Sequence, residues 1–441
     1  MTPLRDDMIT VLKGRSLIDG NGSQPVADPV ILVQDKRIIA ITEAEQWRDL
    51  VADRPHQVHE YPGATFVPGY IDGHVHLTFS ALDDVDEMLA EYLESDDLRL
   101  AAMAIENGHR CLSGGVTTVR DCGGPGTLVQ SLRDAVTAGV TRGPRILSSG
   151  MPITTTGGHC HFFGLQADSE QEVRQAVREL VRDDADFIKV MATGGRITRN
   201  SNIFEPQYTA DEMAVLVQEA KRLERRVASH ALSTAGIRNS VLAGVDTIEH
   251  CNWQDGAGNW EFDEELLDEM GRQGTHISIT LVGFMREAYR AWNSDPEGAP
   301  LTPILKRRYE LESEMFARGL NAFVTSDAGV PGSHFAELHR SVEVAVGWLG
   351  LDVLTAITTV TSRAARALGV DGEVGSLEVG KLADINVVAG DPVEDVATLG
   401  NLVATYLGGE RVVSAGGVVP TDPRRIGPRP AGNRRRGGWI P

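Results

Sequence analysis

The chain has 441 residues and a formal net charge of −20, with 41% hydrophobic and 24% charged residues. The acidic balance argues against binding nucleic acid, and the length is enough for a large domain plus a smaller one. No apolar run approaches the roughly 20 residues that span a bilayer, so no membrane partner is expected.

The start, Met1 to Asp7, lacks the basic-then-apolar pattern of a signal peptide. Cys111, Cys122, Cys160 and Cys251 show no CxxC spacing and read as reduced thiols of a cytoplasmic protein. Short apolar segments over 9–12, 30–33 and 37–41, separated by turn residues such as Asp19-Gly20-Asn21-Gly22, predict a small antiparallel sheet. Alone it is too short to bury a core. Similar segments return over 383–388, 402–406 and 411–413. The simplest packing joins both ends, 1–64 and 370–420, into one β-sandwich domain. The stretch 65–369 is then an inserted domain.

That middle stretch alternates strands with amphipathic helices. An apolar strand over 64–67 runs into Pro68-Gly69. A helix over 98–112 stops at Gly114-Gly115, and strands follow over 115–120 and 144–149. Ser169 with Glu172, and Thr209 with Glu212, are capping-box pairs that open two helices. Their apolar residues, Val173, Ala176, Val177 and Leu180, then Met213, Leu216, Val217 and Ala220, recur at helical spacing. Further strands are predicted over 186–191, 226–230, 246–250, 275–280 and 321–325, with helices over 235–243, 263–272 and 304–318 between them. Counted from Thr65, the alternation is compatible with eight repeats and predicts an α/β fold closed as a (β/α)8 TIM barrel. A doubly wound open sheet is the alternative, but no GxGxxG opens a helix after an early strand. The last segment, 421–441, is a basic tail containing Arg434-Arg435-Arg436. It reads as a surface tail, packed on a neighbouring subunit or facing an anionic partner.

The chemistry-bearing residues fall at strand ends. His74 and His76 are one residue apart, so in extended backbone they point the same way. Imidazole is a common metal ligand, and zinc takes N and O donors at ~2.0–2.2 Å. Two polar residues at a strand end also occur as solvated caps. The fourth predicted strand ends at Lys189, the fifth at His230, the sixth at His250 and the eighth at Asp327. In a barrel these ends face one mouth, where a small-molecule substrate binds. His159, Arg196 and Tyr208 lie on loops leaving the same ends and are candidate substrate-binding residues: an arginine fork for a carboxylate, and a phenol for an oxyanion. The stretch 281–300, rich in aromatics, is a candidate leaving-group pocket.

This order resembles the amidohydrolase superfamily, on Gly73-His74-Val75-His76, Lys189, His230, His250 and Asp327. It is more closely similar to the imidazolonepropionase-like and Xaa-Pro dipeptidase (prolidase)-like members. The marks are the run from Pro68 to His76, Gly114-Gly115-Val116-Thr117-Thr118-Val119-Arg120-Asp121, Gly157-Gly158-His159, Ile188-Lys189 with Gly194-Gly195, and Tyr208 before a helix. The resemblance implies that Lys189 is carboxylated and bridges two divalent ions, zinc foremost. It implies that His74, His76 and Asp327 hold one ion and that His230 and His250 hold the other. It also implies hydrolysis of an amide bond by a metal-bridging hydroxide, with Asp327 as general base. Single-metal deaminases of the superfamily lack the lysine and carry a glutamate soon after the strand-five histidine; here Ala231-Leu232-Ser233-Thr234 follows His230. Where some relatives carry a further histidine, this chain has Leu232. The expected substrate is a dipeptide (Xaa-Pro-like) or an N-acyl amino acid. A carbamate, urea or other xenobiotic amide is the alternative. A non-catalytic barrel scaffold is a third reading, against which the full ligand set counts. Assembly into a homo-oligomer is expected by analogy with the family.

Overall fold

Valine- and isoleucine-rich strands from the two ends of the chain pair with one another in the computed structural model, which describes residues 8–43, 46–260, 262–281, 302–415 and 417–421. The N-terminal part contributes Ile9–Leu17, Pro29–Gln34, Arg37–Glu43 and His56–Pro68; the C-terminal part contributes Ile385–Ala389, Leu402–Leu407, Glu410–Ser414 and Gly417–Val418. The link is the antiparallel pairing of His56–Pro68 with Ile385–Ala389, which sets Pro68 opposite Ile385 and Ala64 opposite Ala389. With the short Val26–Ala27, which pairs with Ile9–Leu17, these make one nine-stranded hydrogen-bonded sheet built from both ends of the chain. Its strand Ile9–Leu17 runs parallel to His56–Pro68, a departure from the antiparallel expectation. Alternate residues of these strands serve different clusters. Leu12, Ile31, Phe66 and Tyr406 pack in one, and Val11, Leu32 and Trp47 pack in another.

The boundary between this sheet and the middle of the chain falls later than expected. Residues 65–68 pair with Ile385–Ala389 and so belong to the terminal sheet. The first strand of the central unit is Tyr70–Val75. Gly69 is the pivot between them. A Cβ there would lie 2.2 Å from Thr117 Oγ1, so only glycine lets the chain cross at this point.

The central strands are parallel. Tyr70–Val75, Val116–Asp121 and Arg145–Ser148 make a three-stranded sheet. Ile153–Thr154, Ile188–Met191, Val227–Ser233, Thr247–Gln254, His276–Thr280 and Asn321–Thr325 follow in order in a second sheet, with the short Leu165–Gln166 at its edge. The two sheets are tied at both borders. The His76 N–H donates to the Ala328 carbonyl at 2.7 Å, and the Asp186 N–H donates to the Ser148 carbonyl at 2.8 Å. The fold is therefore mixed α/β with parallel sheets and intervening helices.

Both expected capping boxes are formed, at Ser169/Glu172 and Thr209/Glu212. The apolar faces of their helices are buried. The helix expected over 98–112 is Asp97–Ser113. All four cysteines are buried and unbridged. Among the described residues no helix is long and apolar enough to cross a membrane. The expected leaving-group stretch, from 282 on, and the basic tail, from 422 on, lie outside the described residues.

Candidate active site

At the carboxyl ends of the parallel strands the Nε2 atoms of His74 and His76 lie 3.5 and 3.6 Å from Asp327 Oδ1. The ligand atoms of these three residues all fall within 4.8 Å of one another. Each histidine is aimed by its other nitrogen. His74 Nδ1–H donates to Glu249 Oε2 at 2.9 Å, and His76 Nδ1–H donates to the Gly123 carbonyl at 3.1 Å. Both Nε2 lone pairs therefore face the acid, since the tautomer follows from the bond at Nδ1.

Two further imidazoles complete the ring of donors. The centroids of His74 and His250 are 5.0 Å apart, and those of His230 and His250 are 4.6 Å apart. His230 Nε2–H donates to the Gly194 carbonyl at 3.2 Å, and His250 Nδ1 is 3.1 Å from Thr280 Oγ1. His250 and Asp327 have φ of +68° and +57°, left-handed values that cost a non-glycine residue on the order of 1–3 kcal/mol. Neighbours in a regular strand face opposite ways. Here Glu249 and His250 both reach the centre, and the left-handed turn at His250 is where the backbone leaves strand geometry.

Burial sets the charge state. It pushes the His76 imidazole down to about 4 and holds His74, His230 and His250 well below their ordinary value. The contacts between Asp327 and the two histidines are thus not ion pairs but neutral nitrogens converging with a carboxylate. Burial raises the Asp327 carboxyl to about 7, against the opposing pull of the Lys189 charge.

Lys189 is fully buried, and among the described residues neither its Nζ nor Asp327 Oδ1 has a hydrogen-bond partner. An amine and a carboxylate oxygen left so in a protein interior are costly and call for a partner. Neutral imidazole nitrogens, a carboxylate and an amine able to become a carbamate form an N/O donor set that suits zinc or a similar divalent ion. The residues present fit such a centre.

Behind the ring lies a support that the sequence reading missed. Arg120 donates through Nη2 to Glu249 Oε1, through Nε to the Gly73 carbonyl at 2.7 Å, and through Nη1 to Thr247 Oγ1 at 3.3 Å. Glu249, fully buried, thus links Arg120 to His74. Asp72 does similar work at the opposite strand, accepting from the Ser326 hydroxyl and from the Ser326 N–H. His74, Cys122 and Glu249 also cluster within 4.8 Å, but Glu249 is already engaged and burial pushes the Cys122 thiol up to about 12. The only signal in the sequence was an acidic residue directly before His250.

A cavity of about 500 Å³ opens over this centre. Its walls include His159 and Arg196 but not Tyr208. The Tyr208 hydroxyl donates to the Ala167 carbonyl at 2.9 Å, and its ring packs in the central apolar core. The expectation that it serves an oxyanion is therefore corrected: its proton is already engaged, away from the cavity. His159 is buried, its ring centroid 4.6 Å from that of His230. Its Nδ1 is 2.9 Å from Thr198 Oγ1, which itself accepts from the Cys160 N–H. The threonine hydroxyl still has a proton to give to that nitrogen, and in that arrangement the imidazole proton would sit on Nε2. Gly195 leaves room for this ring, since a Cβ there would sit 2.2 Å from His159 Cε1. A further residue missed from the sequence, Arg308, also lines the cavity, from the helix Pro303–Ala317.

Strands that carry such donors at their carboxyl ends define a metal-dependent hydrolase of carbon–nitrogen bonds, and residues 65–412 match the Amidohydrolase family, to which this chain belongs. Its likenesses are to particular members. An ochratoxinase of Aspergillus niger is 28% identical over 427 residues, covering 88% of this chain and 82% of the relative. An imidazolonepropionase of Sphingopyxis alaskensis is 25% identical over 410 residues, covering 85% and 90%. The crystal structure of a Xaa-Pro dipeptidase with bound methionine in the active site superposes with a TM-score of 0.76 at 26% identity, covering 91% of this chain and 99% of that one. The resemblance to prolidase- and imidazolonepropionase-like hydrolases stands.

Proposed function

We propose that this chain is a two-metal amidohydrolase, built on a closed (β/α)8 barrel, that cleaves dipeptides of Xaa-Pro type or N-acyl amino acids. The observation that carries the reading is the pair of buried atoms without a hydrogen-bond partner among the described residues, Lys189 Nζ and Asp327 Oδ1, set among imidazoles kept neutral by burial. His74, His76 and Asp327 would hold one ion, His230 and His250 the other, and Lys189 both. A neutral lysine amine adds to carbon dioxide and releases a proton, which turns a would-be cation into an anion able to bridge. When bound, divalent ions polarise an amide carbonyl and lower the pKa of water to about 7.

Asp327 does the proton work. As a carboxylate beside the attacking water, it takes a proton from that water and returns it to the leaving nitrogen. His159, pushed down to about 3, stays neutral and offers its Nε2–H to the developing oxyanion. The buried, unbridged cysteines suit a reducing, cytoplasmic setting.

The second reading, a xenobiotic amide, carbamate or urea, is favoured by the apolar walls Ile203, Phe204 and Trp260. A screen of dipeptides, N-acyl amino acids, carbamates and ureas tests both, with metal content measured by mass spectrometry. Two divalent ions per chain and the highest kcat/KM on a dipeptide or N-acyl amino acid are expected. A preference for neutral carbamates or ureas supports the second reading. Turnover by metal-free protein removes both.

A further inference from the structure

We propose that a second cavity, at the amino ends of the central strands, binds a phosphate group through Arg225 and Arg226. It lies apart from the active site and does not depend on the function proposed above.

The cavity has a volume of about 260 Å³. Asp186-Phe187 stands directly before the strand Ile188–Met191, and Glu224-Arg225-Arg226 directly before Val227–Ser233; all five residues line it. The two strands are parallel, so this mouth is at the opposite end from the histidines of the active site. The turn after the helix Ser362–Leu368 supplies a further wall. Arg120 is buried and reaches the inner side of the cavity, its Cζ 5.3 Å from the centre of the Phe187 ring.

The two arginines are held in place but not neutralised. Arg225 Nε donates to the Ala185 carbonyl at 2.7 Å, and its Nη1 makes longer contacts to the Leu223 and Glu224 carbonyls. Arg226 Nη1 donates to the Ala367 carbonyl at 3.0 Å and to the Arg366 carbonyl at 3.2 Å. Carbonyls fix a guanidinium and leave its charge in place. Among the described residues no carboxylate is bonded to either arginine, and Arg225 Nη2, Arg226 Nε and Arg226 Nη2 have no acceptor. The acids nearby do not fill the gap. Asp186 accepts from Arg133 Nη1 at 2.7 Å and from the Ser148 N–H at 2.9 Å, and Glu249 takes up the Arg120 charge. Glu224 also lines the cavity, but its carboxylate bonds to neither arginine. The positive field extends to a neighbour. Burial first, and then the charges of Arg226, Arg120 and Arg366, push the His276 imidazole down to about 4, against the pull of Asp371. A phosphate group suits this place, since its oxygens accept from several N–H groups at once and the arginine fork matches them. Leu147, Phe187 and Leu368 leave apolar wall beside it for an organic group. The ligand is therefore free phosphate or the phosphomonoester of a small molecule.

The test uses the metal-loaded full chain at constant ionic strength. Inorganic phosphate and phenyl phosphate are titrated by calorimetry, and tungstate soaked into crystals is located by its anomalous scattering. Saturable binding is expected, with tungstate beside Arg225 and Arg226. Arg226→Gln should weaken phosphate binding about 10-fold, as loss of a hydrogen bond to a charged group does. Glu224→Gln removes an opposing charge and breaks no bond, so it should tighten binding about 3-fold. Glu224 is exposed, so this variant keeps the test open if Arg226→Gln, which loses its bonds to the helix end, misfolds. Neither variant should change kcat in the absence of phosphate. Tighter binding of phenyl phosphate supports a phosphomonoester as the ligand, and tighter binding of inorganic phosphate supports free phosphate. Tungstate found only at the metal centre overturns the inference, as does an absence of saturable binding. So does a phosphate affinity that Glu224→Gln leaves unchanged or weakens.

Discussion

Asp327 carries two burdens at once: a strained backbone with φ of +57° and a carboxyl lifted to about 7 by burial. Both are tolerated because the oxygen must face His74 and His76 while remaining able to hold and release a proton. Asp327→Asn keeps the shape and removes the proton acceptor. Its kcat should fall by about 10²- to 10⁴-fold, the range for a lost general base, with metal content largely retained. Steady-state kinetics beside metal analysis checks this, and unchanged turnover takes Asp327 out of proton transfer. At this scale the sequence was informative where residue type alone decides the chemistry. His74, His76, Lys189, His230, His250 and Asp327 do line one cavity. It misled at Tyr208, because a phenol looks the same in a sequence whether it meets a ligand or a backbone carbonyl.

Elements were legible where their signals are local. The capping boxes at Ser169 and Thr209 mark helix starts within a few residues, and the apolar stripes that follow them are buried. The apolar strand over 64–67 pairs with Ile385–Ala389 and does not open the central unit, because an apolar run does not say which strand it will pair with. The strand Thr247–Gln254 hid its most useful neighbour for a related reason. Regular alternation puts Glu249 on the face away from His250, and only the left-handed turn at His250 brings both inward. Glu249 then joins Arg120 to His74. Glu249→Gln should weaken metal binding by about 10- to 100-fold, as loss of a group that orients a ligating histidine does. It should also destabilise the fold by about 3–5 kcal/mol, because Arg120 loses its buried partner. Metal titration and chemical denaturation read the two effects separately. A variant with wild-type metal affinity would show that Glu249 does not orient His74.

Over the whole molecule the buried titratable groups make stability depend on pH in the metal-free protein. His76 and His159, lowered to about 4 and 3, bind fewer protons folded than unfolded. Their contribution is complete above 6.5 and is lost as pH falls toward those values. His74, His230 and His250 shift the same way. Asp72, Asp121 and Asp327, raised to about 6, 7 and 7, act oppositely: their contribution is present below 3.8 and is lost as pH rises through 6 to 7. Between pH 4 and 6.5 the more numerous histidines prevail. The Tm of chelated protein should therefore drop as pH falls across that window, as calorimetry would read it. A flat Tm there would mean that these imidazoles are not neutral and buried in the folded state.

By itself the sequence determined the class: alternating parallel strands and helices between two β-rich ends, with metal-ligating residue types at strand ends. Periodicity, caps and donor chemistry are written in short stretches of chain and survive without a fold. Only the tertiary structure decided where the terminal sheet ends, that Glu249 and Arg120 stand behind His74, that Tyr208 faces away, and that Arg308 joins Arg196 at the cavity. Each of those depends on which distant residue a polar group meets, and burial then sets its charge.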